Sequence, residues 1–459
     1  MRLNEFGLVM DKDLVSLTSD GAPGMKKLGR ICPLEQQLCI AHGIQLAVVD
    51  TLYTRPSSVL ISDDDDDSID GCNEEEESDQ DGDSDEGLVV ENQQSPNEFA
   101  STRINEAVDA VRKLAKLFHA GYKNDKLQEY VRQINDGHEL QLILDCRTRW
   151  SSLYDMLQRY WRIRGCVVKA LIDVDSDFRI TDSQNFIISC LLKSLEPVHT
   201  VVAVICRRDC HFVNAKIALK FMLETLELQE NSVAKRLLSR LKIRIKERWT
   251  VNAALLHYLT YGNAANEELS IVYEVEQKFE FDLARLSEEE VFGDWIHNED
   301  EMTIAEIFEL PRKKLLIEHM FKLLNRMKIV NELHDIGKEQ DELDPDECRP
   351  NKRFKSYADV LDFVVKEKQN KKCPSSANLS GLAKVLGQEM ANFEKTNVKG
   401  VYLQKCFDML MSVRPTSVES ERAFSTGGYF CNKIRSKLTP RTIDTLCFLR
   451  SFIRRCETI

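Results

Sequence analysis

Apolar residues recur at helical spacing over most of the chain between residues 100 and 259. The clearest segment runs from Val233 to Leu259, where one set of apolar positions follows the i, i+3, i+4, i+7 spacing of a single buried helix face. That set comprises Ala234, Leu237, Leu238, Leu241, Ile245 and Trp249. The pattern predicts a long all-α region, and helical patterning returns from Ser356 to the end of the sequence.

Basic side chains fill the positions between these apolar residues. They are Lys235, Arg236, Arg240, Lys242, Arg244, Lys246 and Arg248. A solvated outer face is the ordinary interpretation of such a set, and a face that contacts DNA phosphates is the alternative. The pattern favours the solvated face and leaves the other open.

The first sixty residues carry a different pattern. The apolar run Leu14–Leu17 ends just before Asp20, which predicts a buried strand whose last residues lie at the sheet edge. The residues after it, GAPGMKKLG, predict a turn, and the segment Leu34–Leu52 predicts one helix. At the other end of the chain, Thr439 and Pro440 are typical of an N-cap and first helical position, and they predict a final helix there.

One acidic segment dominates the charge of the chain. Residues from Asp63 to Glu91 contain 16 acidic side chains and no Lys or Arg, so their mutual repulsion predicts a disordered loop over residues 62–98. The formal net charge is −13, and without these 16 acidic side chains the remaining chain carries +3. A mildly basic body is compatible with nucleic acid.

The sequence predicts neither a membrane span nor an export signal. No uninterrupted apolar run reaches the roughly 18 residues that a spanning helix needs, and the N-terminus lacks a basic region followed by an apolar block. The 14 cysteines follow no repeated spacing, which is typical of reduced thiols in the cytosol or nucleus. Residues Arg349–Lys355 match the composition of a nuclear localisation signal, so we expect a nuclear protein.

Three separated stretches carry a family resemblance. They are LTSDGAPGMKK…LCIAHGIQLAVVD, CRTRWSSLYDMLQR and RPTSVESERAFSTGGYFCNKIRSKLTPRTIDTLCFLRSF. Their order and content resemble the hAT superfamily of transposases, named for hobo and Activator, in a truncated or domesticated form. The shared motifs are an Asp at a strand end before a Gly-Ala turn, then Cys-x-x-His, Thr-Arg-Trp and a C-terminal Ser-x-Glu-Arg-x-Phe-Ser. The resemblance covers nearly the whole chain apart from the acidic loop.

The resemblance implies an α/β fold combined with an all-α part: a partial RNase H-like domain interrupted by a large helical insertion. The expected divisions are a partial core at 1–61, the acidic loop at 62–98, the helical insertion domain at 99–355, and the end of the core with a dimerisation region at 356–459.

The same resemblance assigns two carboxylates of a two-metal site. Asp20 matches the family's second catalytic carboxylate and Glu421 the third, in a centre where Mg²⁺ or Mn²⁺ activates a phosphodiester displacement. Without the resemblance, Asp20 is a turn former before Gly21, and Glu421 is a surface charge. Thr416 and Glu419 fit a capping box, which predicts a helix that begins at Thr416.

The family's first catalytic Asp has no counterpart in this sequence. It belongs on a separate strand well before the second, and here only Asp11 and Asp13 precede Asp20, on the same short segment. We therefore expect a vestigial site without enzyme activity or cofactor, with Mg²⁺ bound only if activity persists. The alternative is a fragment of an active transposase whose N-terminal part is lost from this sequence.

The Thr-Arg-Trp motif gives the expected DNA contacts. In the family this Trp stacks on a DNA base, so Trp150 is expected to do so while Arg147 and Arg149 hold adjacent phosphates. A core tryptophan at a helix N-terminus is an equally good interpretation, and the sequence leaves both open.

Two Cys/His groups have spacings that a metal ion can use. Cys39 and His42 lie three residues apart, and the other group is Cys206, Cys210 and His211. Neither has a second pair at zinc-finger spacing, so a buried structural role is favoured for Cys39 and His42.

The expected function is that of a transposase-derived protein that dimerises through its C-terminal region and binds DNA. Its partners would then be a second copy of the chain and DNA, without a membrane. The dimer contact is expected on the final helix, at Leu446, Leu449 and Phe452. A protein-interaction scaffold without DNA affinity is the remaining alternative, and salt-dependent DNA binding separates the two.

Overall fold

The computed structural model describes residues 7–32, 34–53, 101–119, 121–146, 150–262, 302–327, 376–430 and 438–456. Within them the chain is mostly helical, with a two-stranded parallel sheet. It divides into two compact units. The first unit comprises residues 1–47, 193–278 and 297–459, and the second unit comprises residues 48–192 and 279–296.

The N-terminal part of the first unit is a helix–strand–helix–strand–helix sequence. Its elements are α1 (Met10–Asp13), β1 (Ser16–Ser19), α2 (Pro23–Ile31), β2 (Glu35–Leu38) and α3 (Ile40–Leu52). The strands pair in parallel, with Ser16 opposite Glu35 and Ser19 opposite Leu38. Parallel neighbours need a crossover between them, and α2 supplies it.

Three predictions for this part of the chain were wrong in detail. The expected turn after Asp20 is the helix α2, since Pro23 occupies a first-turn position where its missing N–H costs nothing. The expected single helix Leu34–Leu52 begins with β2, because pairing with β1 satisfies the backbone there and outweighs helical spacing. The strand begins at Ser16 and of its residues only Ser19 is fully buried, so it is half-buried.

The remaining described elements are helices. They are α4 (Thr102–Leu117), α5 (Tyr122–Ile134), α6 (Trp150–Asp173), α7 (Asp182–Ile205), α8 (Phe212–Glu227), α9 (Ser232–Lys246), α10 (Val251–Tyr261), α11 (Ile304–Ile307), α12 (Lys313–Arg326), α13 (Ser376–Thr396), α14 (Val401–Met411), α15 (Val418–Phe430) and α16 (Pro440–Cys456).

The core of the first unit surrounds α10. This helix packs against α8, α12 and α14, and every residue from Asn252 to Leu259 is buried. A mainly apolar helix that is buried on all sides belongs in the interior. The ring of Tyr258 meets that of Phe393 edge-on, with the ring centroids 6.0 Å apart. The segment from Val233 to Leu259 thus forms two helices, and α8 to α10 belong to the same unit as the C-terminal helices.

The second unit contains α4, α5 and α6, and α6 packs on both of the others. One face of α6 is buried along its length, from Trp150 to Leu171. Arg112 of α4 donates from Nε and Nη2 to the two carboxylate oxygens of Asp145, at 2.8 and 2.6 Å. This ion pair fixes the segment that leads into α6.

Among the described residues, one helix is long and apolar enough to cross a membrane by length and composition. It is α7, with a mean hydropathy of 1.5 over its best window, of which 61% is buried. The charged residues Lys193 and Glu196 interrupt its apolar run, and a core helix passes the same test. The acidic loop 62–98 and the basic cluster Arg349–Lys355 lie outside the described residues.

Candidate functional site

Asp20 lies at the carboxyl end of β1, as the sequence predicts. Its side chain is half-buried, and Oδ1 accepts a hydrogen bond from the backbone N–H of Ala22 at 3.3 Å. The backbone N–H of Cys39 donates to the carbonyl of Ser19 at 2.7 Å, so the chain leaves both strands at the same edge. In this structure Asp20 forms the turn that starts α2.

The C-terminal part of the chain reaches the same edge. The hydroxyl of Thr18 donates to the carbonyl of Arg414 at 2.9 Å. The backbone N–H of Ile40 donates to the carbonyl of Pro415, also at 2.9 Å. The structure therefore brings the segment that precedes α15, the helix of Glu421, to the strand end of Asp20.

The start of α15 differs from the prediction. The helix begins at Val418, two residues after the expected Thr416. Glu419 does not complete a capping box, because its carboxylate pairs with Arg208 at 3.0 Å and with Arg422. Glu421 lies in the first turn and is exposed. Among the residues that the structure describes, no group of three or more His, Cys, Asp or Glu side chains is placed to hold a metal ion.

Of the cysteines in the two predicted Cys/His groups, Cys39 and Cys210 are buried and Cys206 is half-buried. The sulfur of Cys39 accepts from the backbone N–H of Ser417 at 3.3 Å. Burial, followed by the neighbouring Cys39, raises the pKa of the Cys206 thiol to about 11. The burial of Cys39 favours the structural role over metal binding.

The tryptophan of the Thr-Arg-Trp motif begins α6. Arg147 and Arg149 lie outside the described residues, so their expected phosphate contacts stay predictions. Trp150 is the first residue of α6 and is 8% exposed. Of the two interpretations that the sequence left open, this burial favours a core tryptophan, because an indole needs an open face to stack on a base.

Two contacts hold the segment before this motif. Arg112 forms an ion pair with Asp145, whose side chain is 2% exposed. The hydroxyl of Ser152 accepts a hydrogen bond from the backbone N–H of Cys146 at 2.8 Å. These contacts hold Asp145 and Cys146 to α4 and α6 of the second unit.

The junction between α9 and α10 holds a feature that the sequence did not predict. Two of the seven basic residues, Lys242 and Arg248, are buried, so the solvated face accounts for only part of the set. The side chain of Gln37 on β2 donates to the carbonyl of Arg248 at 3.0 Å and accepts from the hydroxyl of Thr250 at 2.8 Å. The junction is thereby anchored to the sheet.

The final helix, α16, presents an apolar face to the surface. Its capping prediction is confirmed, since the hydroxyl of Thr439 accepts from the N–H of Thr442 at 3.3 Å. Leu446 is half-buried, whereas Leu449 and Phe452 are exposed. Two further apolar residues extend the exposed stripe, which comprises Phe448, Leu449, Phe452 and Ile453 at 68, 45, 55 and 53% exposure.

Comparison with known proteins identifies one part of the chain. Residues 100–186 match the family described as the ZBED1 RNase-like helical domain. The matched segment holds α4, α5, α6 and the first residues of α7, all of them in the second unit. The match points to transposase-derived proteins. No curated protein matches the chain.

Proposed function

We propose that this protein is derived from an hAT transposase, binds DNA through its first unit, and associates with a second copy through α16. The match over residues 100–186 carries the derivation, since it falls on the helical segment that follows the acidic loop and includes the Thr-Arg-Trp motif. The motifs at Asp20, Cys39 and Glu421 lie outside the match and support the same origin.

The support for DNA binding is the character of α2. This helix has no buried residue and no acidic residue in its first turn, and it presents Lys26, Lys27 and Arg30 to solvent. Ion pairs between such side chains and phosphates release counterions, and this supplies most of the affinity of non-specific DNA binding. Because α2 follows directly after Asp20, its basic face adjoins the edge where the family's DNA chemistry takes place.

The support for self-association is the apolar stripe on α16. Exposed apolar patches of a few hundred Å² usually mark an interface. The rings of Phe448 and Phe452 stack with centroids 6.2 Å apart, which gives the stripe a flat aromatic centre. Its occupant is a second copy, in keeping with the dimerisation role of this region in the family that the chain resembles.

The experiment that tests the function is a titration of a short fluorescent DNA duplex with the purified chain, followed by anisotropy at several salt concentrations. We expect the logarithm of the association constant to fall linearly with the logarithm of salt concentration between about 50 and 200 mM. A scaffold without DNA affinity would leave the anisotropy at its starting value even at the lowest salt.

A further inference from the structure

Arg248 is a buried guanidinium with one edge unused. The side chain is 4% exposed. Its Nη1 donates to the carbonyl of Arg244 at 3.0 Å and pairs with Glu247 at 3.0 Å. Nε is buried without a hydrogen-bond partner, and Nη2 makes no hydrogen bond to a described residue. Burying donors without acceptors is costly, and a ligand with acceptor oxygens would satisfy these donors.

The unused edge is held in place by the sheet and by α3. Gln37 of β2 holds the backbone of Arg248, because its side-chain amide donates to the carbonyl of Arg248. A β-carbon on Gly43 of α3 would lie 2.5 Å from Cδ and 2.6 Å from Nε of Arg248, so only glycine lets the guanidinium lie this close to the helix. The position of Arg248 is therefore set by the fold.

A second cation converges on the same place. A β-carbon on Gly21 would lie 3.9 Å from Nη2 of Arg248 and 3.9 Å from Cε of Lys26. Gly21 stands between the two side chains and leaves open the space that a larger residue would fill. Lys26 itself is exposed, so a ligand can approach from solvent.

The first turn of α2 adds backbone donors. The helix begins at Pro23, and the N–H groups of Gly24 and Met25 belong to the first turn, where no carbonyl of the helix can accept from them. Helix N-termini attract anions through these donors and the helix dipole. Two carboxylates lie nearby: Asp20 accepts from the N–H of Ala22 at the start of α2, and Glu247 pairs with Nη1 of Arg248.

We propose that Arg248 and Lys26 bind a phosphate group beside Gly21, at the N-terminus of α2. A guanidinium edge binds phosphate through two parallel hydrogen bonds, and lysine adds a point charge. The phosphate is that of a DNA strand or a free inorganic phosphate ion. The first source rests on the proposed DNA-binding function, and the second is independent of it.

The first test uses a matched pair of lysines. Lys26 and Lys27 are neighbours on α2, both exposed and of equal charge, but only Lys26 approaches Gly21. Lys26→Gln is expected to weaken duplex binding about tenfold and to lower the salt slope by about 1. Lys27→Gln is expected to weaken it about twofold or less, as a loose surface contact. Equal losses for the two variants would overturn the site.

The second test uses inorganic phosphate and the melting temperature. Phosphate should raise the melting temperature of the wild-type chain more than sodium chloride of equal ionic strength does, because a ligand stabilises the folded state that binds it. Arg248→Met should reduce this difference to the general stabilising effect of phosphate, and the melting temperature of the variant without phosphate shows that it folds. An equal phosphate effect in wild type and variant would contradict the proposal.

A third test uses two glycine variants that fill space near the site without changing its charge. Gly21→Ala places a methyl group between the two cations, whereas Gly24→Ala places one in open space on the same turn. We expect only the first to remove the phosphate effect. If the wild type binds phosphate but no DNA, the proposed function fails and the site stands. If it binds DNA with no phosphate effect and equal losses for the two lysine variants, the site fails and the function stands.

Discussion

At the scale of single residues, the buried ion pair of Arg112 and Asp145 dominates the second unit. The side chains are 11 and 2% exposed. Replacing Arg112 by Met leaves the Asp145 carboxylate buried without its partner, which we expect to destabilise the protein by about 3 kcal/mol. Urea unfolding followed by circular dichroism measures this loss.

A control and a rescue accompany the Arg112 variant. Lys126→Met removes the exposed pair with Glu129 on α5 and should leave the unfolding midpoint almost unchanged. Adding Asp145→Leu to Arg112→Met should recover most of the stability, because the buried charge is then gone. A single Arg112 variant that unfolds at the same midpoint as the Lys126 variant would show that the pair does not hold this turn.

The two catalytic carboxylates assigned by resemblance lead to a prediction about chemistry. We expect the 459-residue chain to leave supercoiled DNA uncut in Mg²⁺ or Mn²⁺, because Asp20 and Glu421 lack the family's first carboxylate. Gel electrophoresis of the DNA after incubation measures this. Metal-dependent nicking that disappears in Asp20→Asn or Glu421→Gln would refute the prediction and favour the active transposase.

Single residues also show which features sequence patterns can predict and which they cannot. The strand-end position of Asp20 could be predicted from the short apolar run before it. The burial of Arg248 could not be predicted, because a basic residue between apolar positions gives the same pattern whether it faces water or packs against a glycine in the interior. Only the contact with Gly43, more than 200 positions away along the chain, distinguishes the two.

At the scale of elements, α16 carries the prediction of self-association. Replacing Leu449 and Phe452 by Glu places two charges in the exposed apolar stripe, and we expect a folded monomer by light scattering where the wild type is a dimer. Because both side chains are about half exposed, the change should leave the fold intact. Ser451→Glu adds a charge on the flank of the stripe and should remain dimeric. A monomeric wild type, or a double variant that unfolds, would contradict the assignment.

Elements differed in how well their sequence predicted them. The final helix was predicted with its cap, because Thr439 and Pro440 are local signals that need no partner. The helix α2 was missed although Pro23 is a local signal for its first turn, whereas β2 was missed because it depends on a partner. Four residues become a strand at Glu35–Leu38 only because β1 lies beside them, and helical spacing in the same segment gives no sign of that partner.

At the scale of the whole molecule, we expect the acidic segment to weaken DNA binding by repelling the phosphates. Deleting residues 62–87 removes 15 of the 16 acidic side chains and should raise non-specific DNA affinity. Anisotropy titration of the deleted and intact chains measures the gain, and circular dichroism shows whether the fold persists. Unchanged affinity, or loss of the fold, would contradict the prediction that the segment weakens DNA binding by electrostatic repulsion.

The stoichiometry of the complex with DNA tests the central claim most directly, since it reports DNA binding and self-association together. Sedimentation velocity of the chain with a fluorescent duplex should show two chains per duplex at low salt. Raising the salt should release free DNA and leave an intact protein dimer, because phosphate contacts are screened and apolar contacts are not. A duplex that sediments as free DNA at every salt concentration, or a complex with one chain per duplex, would contradict the account.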